Sequence, residues 1–246
     1  MGQAIAAVTL LSATIKFKGS LILQAQGDGA VKALVAQCTH DQTIRGWAKC
    51  EAEKLSGDTL WDRFGVGHLA LTIKSEDAEP YQGIVPLSGD NLSVALENYF
   101  CQSEQLKTRI WLFANSTRAS GLLLQELPDQ RYDPEDWNRL VLLADTVSEN
   151  ELMNLSCETL LQRLFNEEKV RLFDAQTVCF KCHCSHEKIA AALISMGAQS
   201  LKEILQEKDD ISVDCEFCGR KYHFDGFDIA RLFNDQQGHS AAPAKH

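Results

Sequence analysis

Through the first half of the chain, apolar and polar residues alternate in short runs, the period-two pattern of β-strands. The predicted strands are 20–26, 30–38, 43–50, 68–74, 82–86, 109–114 and 121–127. Residues rich in Gly, Asn and Asp separate several of these runs, as expected for turns. Residues 91–102 instead repeat their apolar positions at helical spacing. This order predicts an α+β fold, in which residues 1–132 form a β-rich domain with helices grouped on a sheet.

From residue 133 to 178 the apolar spacing changes to that of amphipathic helices. Asp133 can cap the first helix and Pro134 suits its first position. Ser148 and Glu151 have the spacing of a capping box, which predicts that a second helix begins there. Two interpretations stay open for this segment. The helices either pack permanently on their own domain, or form a conditional linker whose apolar face docks in one state and is released in another.

Residues 179–235 predict a small separate module. Ser185 can cap a helix that Gly197 ends, and Ser200 with Glu203 predicts a further capping box. A strand is expected to run up to Cys215. Fewer than sixty residues cannot bury a large hydrophobic core. The module therefore needs a further source of stability, such as a bound metal. Residues 236–246 have no apolar pattern and predict a disordered tail.

The module contains the strongest chemical signal in the chain. Cys182 and Cys184 form a C-x-C motif, and Cys215 and Cys218 form a C-x-x-C motif 30 residues further on. Four thiolates at such spacing are the ligands of a closed, tetrahedral zinc site. Gly219 follows the second pair, as expected where the chain turns sharply around the sulfurs. The two thiols of the C-x-C motif also lie near enough to oxidise to each other once a metal leaves, which predicts a metal site that senses redox state.

Composition narrows the class of protein. The chain has nine cysteines, an odd number, which excludes a complete disulfide framework within one chain. No basic segment precedes the apolar residues 4–15 as in a signal peptide, and no run is long enough to span a membrane. These features predict a protein of the reducing cytosol. The net charge of −10 argues against nucleic acid as a partner.

Other ligands and other roles for the cysteines remain alternatives. His183, His186 or His223 could each replace one cysteine ligand, although four cysteines already complete a tetrahedron. Cys179 is a possible fifth thiol and is interpreted as a bystander. The remaining cysteines lie within strand or helix patterns and are interpreted as small core residues. They are Cys38, Cys50, Cys101 and Cys157.

Two other classes of protein compete with a redox-sensing metal module. A structural zinc ribbon in a nucleic-acid-binding protein is one, but residues 179–235 hold seven Lys or Arg against ten Asp or Glu, a net charge of −3. A thiol–disulfide oxidoreductase is the other. Its C-x-x-C should lie at a helix N-terminus, whereas Cys218 precedes Gly219 and a predicted strand.

The cysteine motifs and their surroundings closely resemble the 33-kDa heat-shock chaperone family, the redox-regulated holdases of the bacterial cytosol. The resemblance includes the runs 180–185 and 215–219, with Tyr222 and Phe224 after them. Upstream, the runs 11–17, 26–29 and 99–106 also resemble the sequences of this family. Members of the family carry a further N-terminal segment before the run at 11–17. This sequence begins almost at that run, and we expect the difference to affect the first domain, dimer formation and activity.

The resemblance implies a switch rather than an enzyme. In the reduced state Cys182, Cys184, Cys215 and Cys218 hold Zn²⁺ and the chaperone is silent. Oxidants form two disulfides and expel the zinc, and we expect neighbours to pair, Cys182 with Cys184 and Cys215 with Cys218. The module and linker then unfold, and unfolding clients bind without ATP before they pass to ATP-dependent foldases; a homodimer is expected in the oxidised state. The candidate client-binding or dimerisation residues are Trp137, Leu140, Val141, Leu160, Leu164 and Phe165.

Overall fold

The computed structural model describes residues 1–15, 18–127, 134–208 and 210–239. The chain divides into two compact units, Met1–Lys181 and Cys182 onward. The sequence-based boundary between linker and module lay at 178/179, and the exact domain limits stay a prediction. Within the described residues, no helix has both the length and the apolar character that crossing a membrane requires.

The first unit is built on a six-stranded sheet. Its strands are β1 (Gly19–Gly27), β2 (Val31–Thr39), β3 (Thr43–Cys50), β4 (Gly67–Ser75), β5 (Tyr81–Pro86) and the short β8 (Cys179–Phe180). They lie in the order β5-β4-β1-β2-β3-β8, antiparallel except for the parallel pair β3 and β8. A separate antiparallel hairpin joins β6 (Thr108–Ala114) and β7 (Ala119–Gln125). The seven predicted strands are therefore present, with ends that differ by at most two residues, and the α+β fold is confirmed.

Helix α1 (Gly2–Thr14) forms the centre of this unit and was not predicted. Ala4, Ala7 and Val8 are fully buried, and Leu11 is 1% exposed. The helix contacts both the large sheet and the β6–β7 hairpin. Because it is covered on several sides, it is apolar all round and lacks the periodic polar face by which helices are usually found.

Three short segments complete the first domain. A turn of 3-10 helix (Ala52–Lys54) and α2 (Leu60–Phe64) connect β3 to β4. Helix α3 (Leu92–Tyr99) begins at Asn91, whose side chain accepts a hydrogen bond from the Val94 N–H, and it continues as a π-helical turn (Phe100–Glu104). The helix predicted over 91–102 is thus correct in its start and changes type near its end.

The predicted linker contains α4 (Pro134–Ala144), α5 (Glu149–Asn154) and α6 (Cys157–Leu164). The capping box is confirmed, because Ser148 accepts from the Glu151 N–H while the Glu151 carboxylate accepts from the Ser148 N–H. Asp133, the predicted cap of α4, lies outside the described residues. Apolar residues of these helices form one cluster with side chains of the β6–β7 hairpin.

The second unit contains two helices, a hairpin and a last helix. These are α7 (His186–Met196), α8 (Ala198–Glu207), β9 (Asp210–Asp214), β10 (Lys221–Asp225) and α9 (Gly226–His239). Ser185 caps α7 by accepting from the Lys188 N–H, as predicted. The second predicted capping box is wrong, because α8 already begins at Ala198 after Gly197 and Ser200 lies within its first turn.

Helix α9 was not predicted, and it overlaps the segment expected to be a disordered tail. Asp225 and Asp228 cap its start reciprocally, each side chain accepting from the other residue's backbone N–H. Ile229 is 3% exposed and anchors the helix in the core of the unit. The helix runs to His239, past the expected start of the tail at residue 236, and residues 240–246 lie outside the described part of the chain.

Candidate metal centre

The two cysteine motifs are presented by neighbouring turns of the second unit. Cys182 and Cys184 lie just before α7, and Cys215 and Cys218 lie in the turn between β9 and β10. In that turn the Gly219 N–H donates to the Cys215 carbonyl at 2.7 Å, and the Cys215 N–H donates to the Arg220 carbonyl at 2.9 Å. Gly219 has a φ of +70°, a left-handed conformation that favours glycine. The sharp turn predicted after the C-x-x-C motif is therefore present.

The four sulfur atoms lie together. All four are within 4.8 Å of one another, and within the described residues they are the group of His, Cys, Asp and Glu side chains that could hold a metal ion. The Sγ atoms of Cys182 and Cys215 are 3.6 Å apart, and those of Cys184 and Cys218 are 3.5 Å apart. Four sulfurs around one zinc at about 2.3 Å would be separated by roughly 3.8 Å. The donor set and its spacing fit a tetrahedral thiolate site.

The hydroxyl of Tyr222 contacts the sulfur cluster, and sequence analysis did not predict this contact. Its Oη donates to Cys184 Sγ at 3.0 Å, and the Tyr222 side chain is buried. This hydrogen bond, with others from the neighbouring thiols, lowers the pKa of Cys184 to about 6. No spacing rule links a tyrosine four residues after a C-x-x-C to the sulfur of the other motif, so only the folded hairpin reveals the contact.

The pKa of the Cys218 thiol is shifted in the opposite direction, upward. The backbone N–H of Arg220 lowers the pKa of Cys218, but burial and hydrogen bonding with the other three thiols outweigh it and raise that pKa to about 12. Proton loss from one thiol therefore opposes proton loss from the next, because the negative charges would lie within a few ångströms. A divalent cation held by these residues would supply the positive charge that allows all four to ionise.

The histidines considered as substitute ligands have other partners. The ring of His186 stacks on Phe224 with 4.4 Å between centroids, and His223 Nδ1 lies 3.1 Å from Asp210 Oδ2. None of the three histidines belongs to the group of four sulfurs that lie within 4.8 Å of one another. The geometry thus favours four cysteine ligands over a set that includes histidine.

The remaining cysteines correct one prediction. Cys38 is fully buried in the core of the first unit, as expected, and burial raises the pKa of its thiol. Cys50, Cys101 and Cys157 are exposed, so their assignment to the core was wrong. They lie at the end of β3, in the π-helical turn and at the start of α6, where an apolar pattern does not report burial. Cys179 is exposed in β8, outside the sulfur cluster.

The residues predicted to bind clients lie on the linker helices with different degrees of cover. Leu160, Leu164 and Phe165 are buried, and Leu140 packs partly buried against them. Trp137 and Val141 are half-exposed. The residues that cover this cluster from the hairpin are Trp111, Phe113 and Leu122. The structure therefore brings four of the six predicted residues together on β6–β7.

Polar contacts hold the same helices on the hairpin, and sequence reasoning missed them. Ser120 Oγ donates to the Leu152 carbonyl at 2.6 Å, and Arg118 Nη1 donates to the Met153 carbonyl at 3.1 Å. The first bond joins β7 to α5, and the second joins the residue before β7 to α5; both span more than thirty residues of sequence. Contacts over such separations leave no local signal in the chain.

Comparison with known proteins places this arrangement in one family. The sequence profile described as "Hsp33 protein" matches residues 1–225. A 33 kDa chaperonin of Nitrosococcus oceani is 50% identical over 246 residues, covering 100% of this chain and 85% of the relative. A 33 kDa chaperonin of Pseudomonas aeruginosa is 44% identical over 253 residues, with 100% and 85% covered. The crystal structure of a 33 kDa chaperonin from Thermotoga maritima has the same fold, with a TM-score of 0.79 at 22% identity over 96% of this chain and 85% of that one.

The identity to the relatives extends over both units, and the four cysteines lie within the matched region. The family consists of chaperonins and not of enzymes, which supports a chaperone function and the binding of unfolded client proteins. The chain belongs to the Hsp33 family.

Proposed function

We propose that the chain is a redox-regulated, ATP-independent holdase of the bacterial cytoplasm, activated when oxidation releases zinc and forms disulfides. The observation that carries the proposal is the clustering of four thiols within 4.8 Å in a unit with a small core of its own. Such a cluster can exist either as a metal site or as two disulfides, and the two states differ in how well they hold the fold together. Membership of a chaperonin family supports the use of this difference to control client binding.

In the reduced state Cys182, Cys184, Cys215 and Cys218 would hold Zn²⁺. The ion would supply charge compensation and a cross-link between the two turns, and metal binding stabilises small zinc modules by on the order of 10–16 kcal/mol. Cys215 is itself buried among the apolar residues of the unit, and Cys182 and Cys184 pack against them. The sulfur cluster and the hydrophobic core are therefore continuous, so loss of the cross-link removes support from the core.

In the oxidised state each pair of thiols becomes a disulfide. One thiolate attacks a peroxide oxygen, the O–O bond breaks, and a sulfenic acid and hydroxide form. The second thiolate attacks that sulfur and releases a second hydroxide, so that one peroxide accepts two electrons for each disulfide. Two disulfides leave no thiolate to bind zinc, and we propose that they join Cys182 to Cys184 and Cys215 to Cys218.

Client binding would follow from release of the linker helices. Leu160, Leu164 and Phe165 are covered by the β6–β7 hairpin, and release would expose these side chains together with their cover. Trp137, Leu140 and Val141 would extend the same apolar surface. We propose that this surface binds unfolding proteins, supports a homodimer after oxidation and passes clients to ATP-dependent foldases.

The test measures zinc release beside suppression of client aggregation, without ATP, before and after peroxide. The proposal predicts close to one zinc released per chain, and suppression of light scattering only in the oxidised sample. A Cys157→Ser variant, altered outside the cluster, should behave as the parent does. Equal holdase activity in both states would contradict the proposal. A nucleic-acid-binding zinc ribbon would show no oxidant-dependent suppression, and an oxidoreductase would turn over a dithiol substrate catalytically.

A further inference from the structure

We propose that Tyr222 is a positioning residue for the metal site, and that its hydroxyl holds Cys184 in the ligand set and slows oxidation of that sulfur. This inference rests on the proposed function, since it concerns the same four thiols. It adds a specific side chain that sets how tightly the metal is held and how readily the site responds to oxidant. The argument comes from the position of one hydroxyl group.

The hairpin fixes the Tyr222 hydroxyl against the sulfur. Tyr222 lies on β10 opposite Val213 of β9, and only 8% of the residue is exposed. Its Oη is 3.0 Å from Cys184 Sγ, although 38 residues separate the two in sequence. Because the ring is held in the core beside Phe224, the hydroxyl has little freedom to turn to solvent.

A hydrogen bond to a thiolate draws charge away from the sulfur. Charge-assisted bonds are stronger than neutral ones, so the contact is strongest to a metal-ligating thiolate and holds Cys184 Sγ in place. The same withdrawal of charge lowers the nucleophilicity of the thiolate toward peroxide. Outer-sphere partners of this kind commonly change metal affinity by about 10–100-fold.

The test is a Tyr222→Phe variant, which removes one oxygen and keeps the ring in the core. In reduced protein, competition with a chelator should show a zinc dissociation constant about tenfold higher than in the parent. The rate constant for peroxide-driven zinc release should rise severalfold. In cobalt(II)-loaded protein, the thiolate-to-metal charge-transfer band should move to lower energy. Tyr81→Phe is the matched control, because the Tyr81 hydroxyl binds Glu104 in the first unit.

A general loss of packing is separated from loss of the hydroxyl by a second variant. Phe224→Leu disturbs the same core without touching the hydroxyl, and it should leave the cobalt band of the bound fraction unchanged. Equal affinity, release rate and band position in Tyr222→Phe and parent would overturn the inference, as would the same band shift in Phe224→Leu. If the parent itself bound no zinc, the proposed function would fail. If the parent bound zinc and Tyr222→Phe bound it equally tightly, only the inference about Tyr222 would fail.

Discussion

Asp145, just after the end of α4, accepts a hydrogen bond at its Oδ1 atom from Arg109 Nη2 of strand β6, 3.0 Å away. The indole Nε1 of Trp111 donates to the same oxygen at 3.1 Å. Arg109 also donates to Glu97 Oε2 at 2.8 Å, which orients the guanidinium. One carboxylate therefore joins the linker helices to the hairpin beside the apolar cluster that covers the proposed client-binding residues.

Replacement of Asp145 should loosen the linker. An Asp145→Ala variant loses an exposed ion pair and the partner of an indole N–H, so we expect the free energy of linker docking to fall by about 1 kcal/mol. Hydrogen exchange in α4 should become roughly fivefold faster, and less peroxide should be needed for half-maximal holdase activity. Asp174→Ala, at an exposed position, is the control. Parent-like exchange in both variants would show that this carboxylate does not secure the helices.

Loss of one ligand should abolish tight zinc binding. Cys215 is the buried member of the cluster, so a Cys215→Ser variant replaces a thiolate with a weak ligand inside the core. Metal analysis should show weak or absent zinc, and residues 182–235 should lose hydrogen-exchange protection. Cys50→Ser, at an exposed thiol of the first unit, should retain the metal. Tight zinc in Cys215→Ser would mean that the proposed ligand set is wrong.

The pairing of the oxidised cysteines tests whether the chain unfolds before the bonds form. In the folded cluster two close sulfur pairs join different motifs, Cys182 with Cys215 and Cys184 with Cys218. Once the fold is lost, short loops close more readily than long ones, so we expect Cys182–Cys184 and Cys215–Cys218. Peptide mass mapping after peroxide treatment distinguishes the two sets. Dominant bridges between the motifs would contradict the expected pairing.

Oxidation should release the linker together with the metal module. In the proposed mechanism the module depends on metal for stability, so loss of the metal removes a folded neighbour of the linker in the sequence. Hydrogen exchange should therefore show protection falling throughout 133–235, while residues 14–131 stay protected. Loosening confined to 179–235, with α4, α5 and α6 still protected, would show that the proposed coupling is wrong.

Acid should weaken the start of α5 through its capping box. The pKa of Glu151 lies below its usual value, first because its carboxylate accepts a hydrogen bond from the Ser148 side chain. A lowered folded-state pKa means that the carboxylate stabilises α5 above the unfolded pKa of about 4.3, and that this stabilisation is lost as pH falls through the folded-state value. Amide exchange in α5 should report the loss.

A neutral variant supplies the control for this pH dependence. Glu151→Gln can still complete a capping box but cannot ionise, so its exchange should vary less with pH than that of the parent. Glu149→Gln, at the exposed first position of the same helix, should keep the parent's profile. If amide exchange varied with pH in the same way in Glu151→Gln and in the parent, the Glu151 carboxylate would not be the source of the pH dependence.

Elements with a periodic pattern and a local cap could be found from sequence. The β-strands alternate because one face of the sheet is buried, and Ser148 and Ser185 cap helices through contacts three residues away. Helix α1 escaped because burial on several sides removes its polar face. The cap of α8 was misplaced because Gly197 already ends one helix and begins the next.

In the candidate site, too, the residues with a local sequence signal could be predicted and those held by long-range contacts could not. The four cysteines follow from spacing, because a metal needs all of its ligands within a few ångströms. The Tyr222 hydroxyl and the Arg109–Asp145 pair could not be predicted, since each joins residues more than thirty positions apart. Partners of this kind depend on the register of strands, which composition and local pattern do not determine.

The two-residue strand β8 has a consequence for the sheet it completes. Two described backbone hydrogen bonds attach it, from Cys179 N to the Gln42 carbonyl and from Lys181 N to the Ile44 carbonyl, both 3.1 Å long. Only two residues of β8 pair with β3, so this edge strand is attached over a very short length. Cys182 is the next residue after Lys181, so a change at that sulfur lies one peptide bond from the attachment. Detachment frees backbone groups at the edge of β3, where another extended chain could add as a strand.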